Sequence, residues 1–203
     1  PRLNGVSVTP TFAHKFDDKW SAAVGAEINY VGLTLEKHLM HTGTAPMGPT
    51  HTKGESYALG WNAAANYAFD DKNEIGVVYR SRIKHSMEAD FNAYDVNLAA
   101  LGGPQAVMDI SGAYGEVTLP DSWHIGYNHK FNDRTRIELN AVRTNWSTYD
   151  ALNITTPLGL SENPKNWEDG WRYAIGVEHK LSDKYTLMAG FAYDESSIPY
   201  NGG

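Results

Sequence analysis

The sequence contains no cysteine and no long uninterrupted apolar run. Without cysteine the chain can form no disulfide framework, no thiolate metal site and no cysteine nucleophile. A transmembrane helix needs about 18 consecutive apolar residues, so this kind of span is excluded. The mean hydropathy of −0.47 resembles that of a soluble protein. This value does not argue against a membrane barrel, whose strands alternate lipid-facing and lumen-facing residues.

Basic charge is also scarce, with 17 Lys and Arg against 24 Asp and Glu and a net charge of −7. Nucleic-acid binding needs a basic surface that neutralises phosphates, so we expect no nucleic-acid partner. The chain has no Gly-x-Ser-x-Gly elbow, no phosphate loop and no His-Glu-x-x-His motif. We therefore expect no enzyme and no cofactor. His38, His41 and His51 share one segment, but glycines and prolines interrupt it and no carboxylate cluster joins them, so we expect no metal site.

A short turn pattern occurs four times along the chain. Each copy begins with an apolar residue, continues with Asp, Asn or Ser and then Asp, and ends with Lys or Arg. Short polar side chains of this kind hydrogen-bond to the nearby backbone and favour tight turns. The flanking apolar residues must face the same way, which indicates loops of about three residues. The four copies are 16–19, 69–72, 131–134 and 181–184.

Apolar and small or polar residues alternate on both sides of each turn, as in a β-hairpin with two different faces. Before the last turn, one face carries Trp171, Tyr173, Ile175 and Val177, and the other carries Arg172, Ala174, Gly176 and Glu178. The pattern predicts an all-β chain of about eight antiparallel strands, roughly 5–16, 19–34, 55–69, 73–88, 117–131, 134–149, 168–181 and 184–195.

The predicted connections alternate between very short turns and long loops, roughly 35–54, 89–116 and 150–167. Short periplasmic turns and long extracellular loops are typical of outer-membrane β-barrels. Aromatic residues lie at both ends of single strands, for example Trp20 and Tyr30. Ten residues of tilted strand span about 23 Å, close to the height of a barrel's apolar band. A soluble β-sandwich also explains the alternation, but it does not explain the one-sided loop lengths.

Five segments resemble the FadL/TodX family of outer-membrane transporters, and the resemblance runs over nearly the whole chain. They are NWEDGWRYAIGVE (166–178), LSDKYTL (181–187), GFAYDESSIP (190–199), LPDSW (119–123) and YRSRIKH (79–85). The resemblance implies a 14-stranded barrel plugged by an N-terminal hatch. Ligand would enter an apolar groove between extracellular loops, pass to a lumen site and leave sideways through the wall. We expect residues 1–203 to be the central part of one barrel domain, without the hatch and the terminal strands.

Transport of a fatty acid needs an apolar groove for the acyl chain and a cation for the carboxylate. The long loops offer the apolar side chains, and we expect a short helix over 92–101 that presents two of them. The candidate groove residues are Leu35, Leu39, Met40, Met47, Val96, Leu98, Leu101, Val107, Met108 and Ile110. Any single one of them could equally belong to a small loop core or contact lipopolysaccharide, but for the group as a whole we expect groove lining.

Three cations near the upper end of strand 73–88 are the candidates for carboxylate binding in the lumen: Arg80, Arg82 and Lys84. By alternation Arg80 and Arg82 are predicted to point into the lumen, and the family match favours Arg80. The alternative is an ion pair between Arg80 and a lumen glutamate, Glu27, Glu138 or Glu178.

The leading hypothesis is therefore passive transport of long-chain fatty acids across the outer membrane of a Gram-negative bacterium. Its alternatives are transport of aromatic hydrocarbons and a structural or adhesive outer-membrane barrel, with an outer-membrane hydrolase and a soluble sandwich as weaker rivals. The expected partners are a fatty acid or another hydrophobic small molecule, outer-membrane lipids and lipopolysaccharide. We expect the barrel to be monomeric.

Overall fold

A computed structural model describes residues 2–40, 46–93, 113–149, 153–156, 159–161 and 166–198. Within these residues the chain forms thirteen β-strands and one 3₁₀ turn, Trp146–Thr148. None of the described residues belongs to a helix long and apolar enough to cross a membrane. The strands are β1 (Arg2–Val8), β2 (Thr11–Lys15), β3 (Trp20–Met40), β4 (Pro46–Ala68), β5 (Asn73–Arg80), β6 (Ile83–Ala93), β7 (Ala113–Leu119), β8 (Ser122–Asn132), β9 (Thr135–Thr144), β10 (Asn153–Thr156), β11 (Gly159–Ser161), β12 (Gly170–Lys180) and β13 (Thr186–Asp194).

All of these strands pair in one antiparallel sheet. β1 and β2 both pair with β3, and β3 pairs with β4. The sheet then continues through β5, β8, β9 and β12 to β13. β6 continues β5 along the chain and pairs with β4 and β7, and β7 in turn pairs with β10. Counting each divided strand once, the described residues contain the eight strands that the sequence predicts. They do not close a ring, because β13 pairs only with β12.

The four predicted turns are present, and all lie at one end of the sheet, the turn end. Phe16, Phe69 and Leu181 each donate a backbone hydrogen bond of 2.9 Å to the carbonyl four residues later, which leaves three-residue loops as predicted. In the remaining turn, 131–134, the strands pair as far as Asn132 and Thr135, so this loop is shorter. The polar residue that opens each turn accepts backbone N–H groups, as Asp17 does from Lys19 and Trp20 at 2.7 Å.

The strands are longer than predicted at the opposite end, the loop end. β3 and β4 remain paired across most of the predicted loop 35–54, for instance at Leu35 and Thr52. The alternation of apolar and polar residues fades there, which is why the sequence indicated a loop. Likewise β6 extends to Ala93, so the predicted helix over 92–101 is wrong at its start, and the rest of it lies outside the described residues. The predicted loop 150–167 contains the short hairpin of β10 and β11.

The two faces of the sheet differ in chemistry and exposure. One face, here called the outward face, presents large exposed apolar side chains, including Trp20, Val24, Ile28, Tyr57, Leu59, Trp61, Trp123, Ile125, Tyr173, Ile175, Phe191 and Tyr193. The other, the inward face, carries mostly small and polar residues such as Asn29, Ser56 and Asn62, which are buried. In a soluble protein the apolar side chains are buried and the polar ones are exposed, and here the arrangement is reversed. A wall between lipid and an aqueous lumen requires this reversed arrangement.

The turn at Asp70 gives a first testable prediction. Its Oδ1 accepts hydrogen bonds of 2.8 Å from the backbone N–H groups of Lys72 and Asn73 and from the Asn73 side chain. Asp70→Ala removes the acceptor of all three bonds and should lower the urea midpoint of unfolding of the full-length protein in detergent. Asp71→Ala is the matched control, since the Asp71 carboxylate makes none of these bonds.

The effect of Asp70 should also depend on pH. Hydrogen bonds from Asn73 and from the Lys72 backbone lower the pKa of the Asp70 carboxyl below its ordinary value of 3.8. A carboxyl with a lowered pKa stabilises the folded state above its unfolded-state pKa and loses this effect as the pH falls through its folded-state pKa. The gap between wild type and Asp70→Ala should therefore close as the pH drops below 3.8. A gap that persists in acid would contradict the turn geometry.

Candidate functional site

Two neighbouring strands of the wall are interrupted at the same height. Ser81 and Arg82 separate β5 from β6, and Pro120 and Asp121 separate β7 from β8. β5 pairs with β8 as far as Arg80 and Ser122, and pairing resumes between Ile83 and Leu119. Proline has no backbone N–H to offer a neighbouring strand, so Pro120 favours such a break. We call these four residues the matched break.

The matched break reverses the alternation of faces above it. Arg80 lies in register with Asn62 on the inward face. Ile83, three residues later, also lies on this face: a Cβ added to the inward-facing Gly60 would come within 2.7 Å of the Ile83 Cγ1. In an uninterrupted strand, a residue that lies an odd number of positions from Arg80 would face outward. Ser81 bridges the gap to β4, because its N–H donates to the Trp61 carbonyl and its Oγ accepts from the Trp61 N–H, both at 2.9 Å.

Arg80 is an exposed cation of the inward face at this height. Its register neighbours are Asn62 on β4 and Ser122 on β8. Its Nη1 lies 4.0 Å from the Glu27 Oε2, at the limit of an ion pair. The Arg80 side chain is 53% exposed, whereas that of Glu27 is 13% exposed, so the guanidinium extends beyond its carboxylate partner.

A polar chain leads from Glu27 toward the loop end of the inward face. Ser7 Oγ donates to Glu27 Oε1 at 3.2 Å, and Asn29 Nδ2 donates to Ser7 Oγ. The Asn29 Oδ1 lies 2.8 Å from the Nε2 of His85, which is fully buried. These hydrogen bonds link β1, β3 and β6, and only the buried His85 Nδ1 of this polar chain is left without a partner. Glu27 is thereby fixed in place, and Arg80 has no second carboxylate at ion-pair distance among the described residues.

Two of the three predicted cations lie on the other face. Because the matched break reverses the alternation, Arg82 and Lys84 share the outward face, opposite to Ile83 and His85. Lys84 Nζ pairs with Glu116 Oε1 at 2.8 Å, and the Tyr114 hydroxyl donates to the same oxygen at 2.7 Å. The prediction that Arg82 points into the lumen is therefore wrong, and Lys84 is equally unable to line it. Alternation alone could not reveal the extra residue in the strand.

Arg82 instead begins a chain of polar contacts that crosses the outward side of the wall at the loop end. Its Nη2 lies 3.1 Å from Asp121 Oδ1, and Asp121 Oδ2 accepts from Asn145 Nδ2 at 2.6 Å. Asn145 Oδ1 accepts from Arg143 Nε at 3.1 Å, and Arg143 Nη2 donates to Asp169 Oδ2 at 2.9 Å. We call these five side chains the outer polar chain.

The far end of the outer polar chain is anchored to the backbone. Asp169 Oδ1 accepts from the Ser147 N–H at 3.1 Å. Hydrogen bonds from Ser147 and Arg143 lower the pKa of the Asp169 carboxyl, which therefore remains ionised. Sequence reasoning did not single out Asp121, Arg143, Asn145 or Asp169. Asp121 and Asp169 lie in segments 119–123 and 166–178, which carry the resemblance to the family. This resemblance was the only signal in the sequence that could have pointed to them.

The predicted apolar groove is only partly within the described residues. Leu35 lies half-buried on β3, and Leu39, Met40 and Met47 lie at the loop end of the β3–β4 hairpin. The remaining candidates, Val96, Leu98, Leu101, Val107, Met108 and Ile110, lie outside the described residues. The groove therefore stays a prediction.

Asp121 gives a second testable prediction. Its side chain is only 6% exposed and joins Arg82 to Asn145, so Asp121→Ala removes the acceptor of both and leaves the part-buried Asn145 amide without this partner beside the matched break. Such a loss costs about 1–3 kcal/mol, and the free energy of unfolding of the full-length protein should fall by this amount in a urea titration. Asp121→Asn, which retains an acceptor, should lose less. Asp133→Ala, at an exposed turn position, is the control and should change little.

Comparison with known proteins agrees with this architecture. Residues 2–202 match the family described as outer membrane protein transport protein (OMPP1/FadL/TodX). The chain is 26% identical to the long-chain fatty acid transport protein of Escherichia coli K12, over 97% of this chain and 52% of that protein. It is 28% identical to outer membrane protein P1 of Haemophilus influenzae, over 70% of this chain and 30% of that protein. The chain thus spans about half the length of the curated fatty acid transport proteins it matches.

Solved structures show the same fold. A Pseudomonas aeruginosa FadL homologue superposes with a TM-score of 0.77 at 19% identity, covering 97% of this chain and 51% of that one. The Ralstonia pickettii toluene transporter TbuX superposes with a TM-score of 0.71 at 18% identity, covering 96% and 56%. The predicted fold class, an antiparallel barrel segment, is confirmed. The chain therefore belongs to the OMPP1/FadL/TodX family and forms part of the wall of a β-barrel in the bacterial outer membrane.

Proposed function

We propose that the full-length protein carries hydrophobic small molecules across the outer membrane, with long-chain fatty acids as its substrate. The inward face of the sheet is then the lumen, and the outward face contacts lipid. The relative from E. coli is named a long-chain fatty acid transport protein, which supports this substrate class. The observation that carries the proposal is the position of Arg80.

Arg80 has the properties of a carboxylate anchor in the lumen. Its guanidinium is half-exposed on the inward face and lies 4.0 Å from its acidic neighbour, Glu27. By contrast Arg136, on the same face nearer the turn end, contacts Glu178 at 2.8 Å. Arg80 therefore keeps N–H donors free for a bidentate bond to a carboxylate, which is shorter and stronger than a bond between neutral groups.

An acyl chain bound by Arg80 would extend toward the loop end. Val31, Leu33 and Leu35 alternate along β3 on the inward face above Glu27 and Asn29, and Val31 is buried. This strip leads to the end of the β3–β4 hairpin, where the predicted groove residues begin. A fatty acid would enter with its carboxylate leading and stop where Arg80 meets it.

Transport of aromatic hydrocarbons is the second candidate. Two solved structures with this fold, from Ralstonia pickettii and Pseudomonas putida, are toluene transporters. A neutral aromatic molecule has no charge for Arg80 to bind, so its affinity would depend on apolar surface alone. Arg80 therefore distinguishes the two substrate classes.

The third prediction tests this distinction on the delipidated full-length protein in detergent. Arg80→Ala should weaken oleate binding about tenfold or more, the usual scale for a lost charge-assisted hydrogen bond. Arg80→Lys should recover part of the affinity. Arg136→Ala, which removes a lumen arginine already paired with Glu178, is the matched control and should bind oleate like wild type.

Titration with toluene separates the candidates. Oleate binding that depends on Arg80 supports fatty acid transport. Saturable toluene binding without oleate binding would move the function to aromatic hydrocarbons. A folded protein that binds neither would contradict transport and favour a structural or adhesive barrel.

A further inference from the structure

The outer polar chain borders a cavity on the lipid-facing side of the wall. The cavity has a volume of about 400 Å³ and is lined by Arg82, Trp123, Arg143, Asn145, Ser147, Thr148 and Asp169. Trp123 and Arg143 are cross-strand partners on the outward face. The cavity therefore opens away from the lumen and from Arg80.

The guanidinium groups are the accessible charges of this cavity. The side chains of Arg82 and Arg143 are 59% and 42% exposed, whereas those of Asp121 and Asp169 are 6% and 28% exposed. The carboxylates thus hold the arginines from behind, and the cations face the surroundings. Each guanidinium has five N–H donors and uses only some of them within the chain of contacts.

A row of aromatic side chains fixes the height of the cavity relative to the membrane. Trp61, Tyr79 and Trp123 contact one another across three strands, with ring centroids 5.1 and 4.8 Å apart. Arg143 lies over the ring of Trp171 at 5.7 Å. Tryptophan and tyrosine girdles mark the membrane–water interface of barrels. Because the row lies toward the loop end, it marks the outer leaflet, and the two arginines lie at the level of its headgroups.

An apolar groove lies directly below the cavity on the same face. It also has a volume of about 400 Å³, and its lining is predominantly apolar: Ile125, Tyr127, Leu139, Ala141, Tyr173, Ile175, Phe191 and Tyr193 are its principal residues. The small Ala141 lies between the larger Ile125 and Tyr173 in the register, which leaves the depression. Ala141 is two residues from Arg143 on β9, or about 7 Å along the strand.

We propose that this surface binds one phosphate-bearing lipid of the outer leaflet. Its phosphate accepts hydrogen bonds from Arg82 and Arg143, and one acyl chain lies in the groove over Ala141. The combination of exposed guanidinium groups at headgroup height and an apolar groove below them on the same face fits a phosphorylated lipid. The site is separate from the proposed transport path, since its residues lie on the opposite face of the wall from Arg80.

The fourth prediction tests the headgroup contact by native mass spectrometry of the full-length protein in detergent. The probe is lipid A with its phosphates, the phosphorylated glucosamine lipid of the outer leaflet, compared with the same lipid after removal of both phosphates. Wild type should retain the phosphorylated lipid at least about tenfold more strongly. The double variant Arg82→Ala, Arg143→Ala should lose this preference. Arg172→Ala is the matched control, because Arg172 follows Trp171 in β12 but faces the lumen beside Asp194.

A second variant tests the acyl-chain groove and leaves the outer polar chain intact. Ala141→Trp fills the depression and should also weaken lipid binding about tenfold, while Ala189→Trp, outward-facing on β13 but outside the groove, should not. Equal retention of the two lipids by wild type, or unchanged retention by both the double variant and Ala141→Trp, would overturn the proposal. Neither result would affect oleate binding at Arg80, so the two proposals fail independently.

Discussion

Side chains of a β-strand alternate between its faces, so one extra residue moves every later side chain to the opposite side. In a wall between lipid and water this change decides which residues meet hydrocarbon and which meet the lumen. The matched break inserts such a shift into two neighbouring strands at the same height, and Leu119 and Ile83 pair again above it. Because both strands shift together, the sheet continues upward with His85 and Met87 on the inward side.

The break separates three cations that are close in sequence. Arg80 remains on the inward face beside Glu27, whereas Arg82 joins Asp121 and Lys84 joins Glu116 on the outward face. Asp121 belongs to the break itself, so the interruption that turns Arg82 outward also supplies its buried partner. The proposed lumen anchor Arg80 and the outward-facing cations thus depend on the same four residues, Ser81, Arg82, Pro120 and Asp121.

Much of the fold could be predicted from the sequence because turns and alternation are local properties. Asp17, Asp70 and Ser182 open turns through short-range hydrogen bonds, and their positions set the strand register at the turn end. The loop end was predicted less well, since its pairing at Leu35 and Thr52 depends on continuation of a long hairpin, with weak local signals. The inward position of Arg80 was correctly predicted, but those of Arg82 and Lys84 were not. Their positions depend on a break across two strands, which appears only when both strands are placed side by side.

Spin labels introduced singly along β5 and β6 of the full-length protein in lipid test the central claim most directly. Oxygen dissolved in lipid and a water-soluble nickel chelate report which side each label occupies. The account predicts that labels at Val77 and Tyr79 contact oxygen, whereas labels at His85 and Met87, which share their parity, are shielded from lipid and face the lumen. If positions 85 and 87 were as accessible to oxygen as 77 and 79, the strand would be uninterrupted, and the separation of Arg80 from Arg82 and Lys84 would be contradicted.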